Sequence, residues 1–397
     1  EILIPLYQKY GIEGMMEYLN GEFAFVLYDK RIDTLYAVRD RFGIKPLCWF
    51  YDSKQTIIAS KAKAIMACGV KAEWDSISLM QSLSMHYQPT DRTMFANINQ
   101  VEPGHILVCK NGTAPKKIKY WDINYPLETS YKQLTSVEEK KYIDEFHDLL
   151  FESVKTRLTC DVPVCCHLSG GLDSSTIVGM MSKIRNIGPT HCFSVVFPNT
   201  DAEYDEDILA TETVEHIQGV MHKIKISQRQ IIDNLSDAVY HSEGLAVNGH
   251  LSCKYLLNKE IRKEGFKVAL TGEGADECLA GYSHLRKDII ANLSCAEREE
   301  LTNRLYQTNL SITGTEIALG NTLDCSALEQ KLGYIPSFLQ AKASIGYRMY
   351  QFLNEDMLHE CSRHDFFNEL LSHYEIDSQL SGRHPVNQSL YFWIKLT

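Results

Sequence analysis

The sequence predicts two unlike domains in series: an α+β domain, then an α/β domain with a doubly wound parallel sheet and helical additions. Three observations predict it. Between Gly21 and Trp121, short segments alternate apolar and polar residues and are separated by turn residues, as antiparallel strands are. Beyond Pro163, strand-like and helix-like segments alternate, the pattern of parallel strands joined by crossover helices. Two of those strands run into glycine-containing loops and then helix starts, at 168–175 and 271–277, the end of the sheet at which ligands gather in such folds.

The chain opens on Glu1-Ile2-Leu3-Ile4-Pro5-Leu6-Tyr7, apolar residues spaced as on a helix already under way. It ends inside an apolar segment at Thr397 with no stop signal, so both ends read as cut. The first domain takes residues 1–126, with strands at 23–28, 34–38, 47–51, 56–59 and 106–108, helices at 61–68 and 76–86, and turns at Asp29-Lys30, Asp52-Ser53, Pro103-Gly104 and Asn111-Gly112. A polar linker, 124–136, follows. The second domain takes 137–397 and begins with a helix whose Tyr142, Phe146, Leu149, Leu150, Val154 and Leu158 predict one buried face. Its strands are expected at 162–168, 192–197, 222–226 and 268–271, with helices from about 205 to 218, 231–240 and 252–263. Residues 287–385 read as a helical insertion or cap.

Composition narrows the class of function. A formal charge of −11 on 397 residues speaks against bulk nucleic-acid binding. No apolar run reaches the roughly 18 residues of a membrane span, and no signal-peptide pattern is present. The twelve cysteines form no C-x-x-C pair. Cys165 and Cys166, adjacent in an expected strand, should point to opposite faces as reduced core residues, which indicates a cytoplasmic setting.

The chemistry concentrates in the two loops. Ser169-Gly170-Gly171-Leu172-Asp173-Ser174-Ser175 is not a Walker A loop, because no lysine follows its glycines at the required spacing. Its backbone N–H groups and the hydroxyls of Ser169, Ser174 and Ser175 can hold pyrophosphate oxygens at a helix N-terminus. Asp173 would repel phosphate and is assigned to Mg²⁺. The plain alternative is a tight turn with a helix cap. Thr271-Gly272-Glu273-Gly274-Ala275-Asp276-Glu277 repeats the strand, loop and helix order but carries three carboxylates. Asp276 becomes a second Mg²⁺ ligand, and Glu273, between two glycines, a general base. Here the alternative is that Asp276 and Glu277 only favour the helix start, worth about 0.3 to 1 kcal/mol each.

These residues resemble a known family. Ser169 to Ser175 is similar to the pyrophosphate loop of the ATP pyrophosphatases, and Thr271 to Glu277 followed by Ala280-Gly281-Tyr282 to the companion loop of glutamine-hydrolysing asparagine synthetases. Gly21-Glu22-Phe23-Ala24-Phe25, Arg39-Asp40-Arg41-Phe42-Gly43-Ile44-Lys45-Pro46-Leu47 and Pro103-Gly104-His105 resemble the later part of a class II glutamine amidotransferase domain of the N-terminal-nucleophile fold. The resemblance covers most of residues 1–290.

The resemblance implies an amide synthesis: a carboxylate, aspartate or an analogue, attacks ATP to give an acyl-adenylate and pyrophosphate, and ammonia derived from glutamine displaces AMP. It implies that Leu168, Val195, Thr271 and Gly272 contact AMP, that Ser169, Gly170, Gly171, Asp173 and Ser174 surround pyrophosphate, that Asp173 and Asp276 hold Mg²⁺, and that Glu273 takes the proton from the attacking nitrogen. It suggests a homodimer without nucleic-acid or membrane partners. The family's nucleophilic N-terminal cysteine would precede Glu1, so the chain as it stands is not expected to hydrolyse glutamine; a later substrate segment and a pyrophosphate-facing lysine would follow Thr397. Residues 241–253 differ from aspartate-using sequences, which admits another acid and an enzyme that tailors secondary metabolites; Asn248 and His250 could contact such an acid or simply cap and pack. RNA modification by adenylation and a non-catalytic scaffold are the remaining readings.

Overall fold

In the first unit, strand β2 (Thr34–Arg39) sorts its side chains by the two-residue period of a strand. Tyr36 and Val38 enter one core with Met15 and Met16, and Ala37 enters another with Leu47 and Leu107. The computed structural model describes residues 1–88, 90–111, 113–184, 188–198, 207–246, 248–282, 285–290, 297, 299–301 and 321–396. Gly112 of the expected turn, the expected helix start near 205 and much of the segment 287–320 lie outside them.

β1 (Ala24–Asp29), β2, β6 (His105–Lys110) and β7 (Lys116–Lys119) form an antiparallel sheet in the order β1-β2-β6-β7. A second antiparallel sheet runs β4-β3-β5, from β3 (Cys48–Tyr51), β4 (Thr56–Ala59) and β5 (Ile98–Gln100). Helix α1 (Leu3–Gly14) supplies Leu3, Leu6 and Tyr7 to the outer face of the first sheet. Trp49 and Ile58 of the second sheet meet Leu107 and Cys109 of the first. Helix α2 (Ala62–Ala67) covers the far side of the second sheet through Ala62 and Ile65. The layers therefore run α1, sheet, sheet, α2. The Arg39–Leu47 motif is tied inward: Arg39 is buried and donates to the carbonyls of Gly43 at 2.8 Å, Lys45 at 3.1 Å and Val101 at 2.8 Å. Asp40 accepts from the backbone N–H groups of Phe42, Ile44 and Lys45 at 3.0 to 3.1 Å.

The same unit includes residues from Tyr282 on, so contacts group Glu1–Ser130 with Tyr282–Thr397, and Tyr131–Gly281 forms the second unit. This grouping differs from the sequence division over residues 282–397. Helix α3 (Ser76–Met85) packs against helix Ser337–Tyr350, and Met85, Phe338, Leu339, Tyr391 and Phe392 share a core.

The second unit holds a four-stranded parallel sheet in the order β10-β9-β8-β11, formed by β8 (Val164–His167), β9 (His191–Val196), β10 (Val220–Lys225) and β11 (Val268–Leu270). Helices α4 (Ser136–Arg157), α5 (Leu172–Lys183) and α6 (Asp207–His216) cover one face; α7 (Gln228–Asp233), α8 (Leu235–Ser242) and α9 (His250–Lys263) follow, and α9 covers the other with Leu257 and Ile261. Cys166 enters the first of these cores and Cys165 the second, so the adjacent cysteines do point to opposite faces. Helix α10 (Ala275–Leu279) follows β11.

The buried stripe expected on α4 is a correction. Val154 is buried and Leu150 and Leu158 are partly so, but Tyr142, Phe146 and Leu149 are exposed. The helix has 22 residues, about 33 Å of rise, whereas the strands beneath have at most six, about 20 Å. Its N-terminal half therefore runs past the sheet it packs on. Among the described residues no helix is long and apolar enough to cross a membrane.

Candidate nucleotide-activating site

The strand order builds the site. β8 is followed in the chain by β9 and β10 on one side, and β11 then returns to pair on its other side, with Leu270 opposite Cys166. Crossovers thus leave β8 in opposite directions, and the loops after β8 and β11 meet where the winding reverses, the crevice in which open α/β sheets bind ligands.

Leu168 extends β8, its N–H donating to the Phe193 carbonyl at 2.9 Å. Gly170 then takes a left-handed φ of +91°, open to glycine without strain, and Gly171 caps α5. The loop is held by its own hydroxyls. Ser169 N–H donates to Ser174 Oγ at 3.3 Å, the two hydroxyl oxygens lie 3.1 Å apart, and Gly171 N–H donates to Ser169 Oγ at 3.3 Å. Asp173 stands in the first turn of α5.

The second loop rests on the first. A Cβ on Gly272 would lie 2.6 Å from Ser174 N and 2.9 Å from both C and Cβ of Asp173, so only glycine admits this approach. Farther on, a Cβ on Gly281 would fall 1.9 Å from Asp276 Oδ1, which binds the Ala280-Gly281 turn closely to that carboxylate. The Asp276 carboxyl is raised above the usual carboxylate range by burial first, then by the negative charges of Asp173, Glu277 and Glu273. The carboxylates of the two loops therefore act on one another. Asp173 and Asp276 are hard oxygen donors, a set that fits Mg²⁺, which takes one or two carboxylates and fills its shell with phosphate oxygens and water. Among the described residues no three His, Cys, Asp or Glu side chains form a metal site by themselves.

Beside the loops lies a cleft of about 290 Å³. Leu168, Ser169, Val195, His250 and Glu273, five of the residues singled out in the sequence, line it. Gly170, Gly171, Asp173 and Ser174 form the adjoining loop and helix start, Thr271 and Gly272 belong to the facing loop, and Asp276 stands in the first turn of α10. Sequence reasoning missed Lys254 and His167. Lys254 Nζ, on α9, donates to Glu273 Oε1 at 2.7 Å. His167 ends β8 with Nε2 buried and without a hydrogen-bond partner, and burial, with the Lys254 charge behind it, lowers its tendency to protonate. His167 carried a signal, as the residue one place before the Leu168-Ser169 turn; Lys254, 19 residues from Glu273, carried none.

The sequence matches known families and proteins. A model described as asparagine synthase matches residues 145–397, and one described as a glutamine amidotransferase domain matches residues 1–121. Amidase chyE of Penicillium rubens is 33% identical over 303 residues, covering 73% of this chain and 44% of that protein. Asparagine synthetase [glutamine-hydrolyzing] 1 of Bacillus subtilis is 29% identical over 387 residues, 95% of this chain and 57% of its own length. A putative asparagine synthetase [glutamine-hydrolyzing] 2 of Methanocaldococcus jannaschii is 30% identical over 304 residues, 74% of this chain and 56% of its own. The chain spans about half the length of these curated relatives.

Proposed function

The chain belongs to the asparagine synthase family, and from that premise we propose that it is an ATP-dependent amide-forming ligase that adenylates a carboxylic acid and passes ammonia, drawn from glutamine, to the acyl group. The observation that carries the reading is the contact of Gly272 with the first turn of α5, which joins an anion-binding loop to a carboxylate-bearing loop at one crevice.

In the first step an oxygen of the acid's carboxylate attacks the α-phosphorus of ATP, the bond to the bridging oxygen breaks, and pyrophosphate leaves. The 169–174 loop suits the leaving group, since the N-terminal N–H groups of α5 face an anion there and the Ser169 and Ser174 hydroxyls, now bonded to each other, can turn to phosphate oxygens. The apolar walls at Leu168 and Val195 suit the nucleoside of AMP, with Thr271 and Gly272 on the facing loop. In the second step nitrogen attacks the acyl carbon, the bond to the AMP oxygen breaks, and Glu273 accepts the proton released from nitrogen. The chemistry Mg²⁺ supplies when bound at Asp173 and Asp276 is neutralisation of charge on the departing pyrophosphate.

Glutamine as the ammonia source is supported by the amidotransferase match, and an N-terminal-nucleophile type of first domain by its two stacked sheets between helices. The free thiols of Cys165 and Cys166 on β8 are in keeping with a reducing, cytoplasmic setting. Aspartate is one candidate acid. Another acid is the second reading, favoured by the match to a protein named as an amidase beside those named as asparagine synthetases.

The test is to incubate full-length protein with ATP, Mg²⁺, glutamine or ammonia, and a panel of acids that includes aspartate. Acid-dependent release of AMP and pyrophosphate in step with amide is expected. ADP and phosphate in their place, or no nucleotide cleavage with any acid, would overturn the reading.

A further inference from the structure

The cleft poses an electrostatic difficulty for the proposed reaction. Its substrate is an anion, yet Asp207 and Glu273 line the cleft, and Asp276 is near enough to Glu273 and Asp173 for their charges to interact. Lys254 is the lysine or arginine among the described residues that line it. Its ammonium carries three N–H donors. Among the described residues Glu273 Oε1 is its hydrogen-bond partner, at 2.7 Å, and the side chain is more than half exposed, so two donors are left for an incoming acceptor. Ser169 of the pyrophosphate loop lines the same cleft.

Resting on the amide-ligase reading, we propose that Lys254 is the anchor for the acid substrate's carboxylate: it holds one carboxylate oxygen by a charge-assisted hydrogen bond while the other attacks the α-phosphorus. Lys254 then bridges the two anions that must lie side by side, the substrate carboxylate and Glu273. When the acyl–phosphate bond forms, the carboxylate loses its charge and Lys254 is left with Glu273, which next accepts the proton from nitrogen. Lys254 on this account serves the adenylation step, before ammonia enters.

ATP–pyrophosphate exchange without ammonia isolates that step. The probes are aspartate, glutamate and succinate with the full-length protein, at fixed Mg²⁺, with ATP binding measured separately. Lys254→Met should raise the KM for the acid about tenfold to a hundredfold, the range of one hydrogen bond to a charged group, with KM for ATP nearly unchanged. Lys254→Arg should restore most of the exchange. Exchange by Lys254→Met equal to that of the wild type, with only amide formation lost, would assign Lys254 to Glu273 alone and overturn the proposal. Failure of Lys254→Arg to restore exchange while it still binds ATP would overturn it as well. A wild-type protein that shows no acid-dependent exchange overturns the amide-ligase reading itself, a result distinct from either.

Discussion

The backbone nitrogen of Ser174 lies 2.6 Å from where a β-carbon on Gly272 would sit. Since the neighbours are backbone and the Cβ of Asp173, neither side can yield without moving a loop. Gly272→Ala should therefore separate the two loops and weaken ATP binding at least tenfold. Gly179, in the middle of α5 with open space around its Cβ position, is the control. Gly179→Ala should keep ATP binding and raise stability by roughly 0.5 to 1 kcal/mol through helix propensity. Calorimetric titration with ATP and thermal melts of both variants check the pair.

Asp276 is raised by burial and then by Asp173, so removing the Asp173 charge should let it fall. In Asp173→Asn the Asp276 carboxyl should titrate at lower pH than in the wild type. Carbon-detected NMR of labelled aspartate side chains reads this without metal or substrate. Unchanged titration would mean that the two loops do not share a field. In full-length protein, Asp276→Asn should also raise the Mg²⁺ concentration needed for half-maximal AMP release by about tenfold or more, since even partners outside the ligand shell typically cost 10- to 100-fold in metal affinity.

Glu273 separates the two half-reactions. Glu273→Gln keeps the shape and the hydrogen-bond acceptor but loses the basic carboxylate, so acid-dependent ATP–pyrophosphate exchange should persist while amide formation falls by about 10² to 10⁴. Equal loss of both would remove Glu273 from the role of base.

The parts legible in the sequence are those fixed by short-range rules. The strand, glycine loop and helix start at 168–175 follow from local residue types, and the facing of Cys165 and Cys166 follows from the strand period alone. What was not legible depends on residues distant in the chain. The overhang of α4 needs the length of strands not adjacent to it in sequence. The Lys254–Glu273 pair joins α9 to the loop after β11, and neither residue has a local pattern that names the other. The Arg39–Leu47 motif carries the family resemblance; in the structure Arg39 and Asp40 spend their hydrogen bonds on the loop's own backbone, on the Val101 carbonyl and on the Gln100 side chain.

That inward wiring predicts a stability effect. Lysine at position 39 would keep the charge but lose the planar fork that reaches the carbonyls of Gly43, Lys45 and Val101 together. Arg39→Lys should cost about 1 to 3 kcal/mol, the range for leaving one buried acceptor unpaired, since the bond to the Val101 carbonyl is the buried one of the three. A matching fall in the denaturant midpoint of the first unit checks it, and a midpoint within error of the wild type would show that the three carbonyls find other donors.

Asp288 predicts how stability should follow pH. The side chain is buried at the meeting of three helices, Leu285–Ile290, Ser337–Tyr350 and Pro385–Leu396, where Oδ1 accepts from Ser337 N–H at 2.9 Å and Oδ2 from Ser389 Oγ at 2.7 Å. Burial pushes the carboxyl up to about 6, against the hydrogen bonds from Ser389 and Ser337. The folded state therefore holds this proton more tightly than the unfolded chain, whose aspartate titrates near 4. The stability it contributes is fully present below about pH 4 and is lost as pH rises through about 6, a change of roughly 3 kcal/mol for a shift of about two units. Asp288→Asn keeps an acceptor for Ser337 and offers Ser389 a donor without a titrating proton. Its melting temperature should lose the downward slope between pH 4 and 7 that Asp288 gives the wild type, and at pH 7 the variant should be at least as stable. Parallel melting curves across that range, with the wild-type slope retained in the variant, would place the titration on another group.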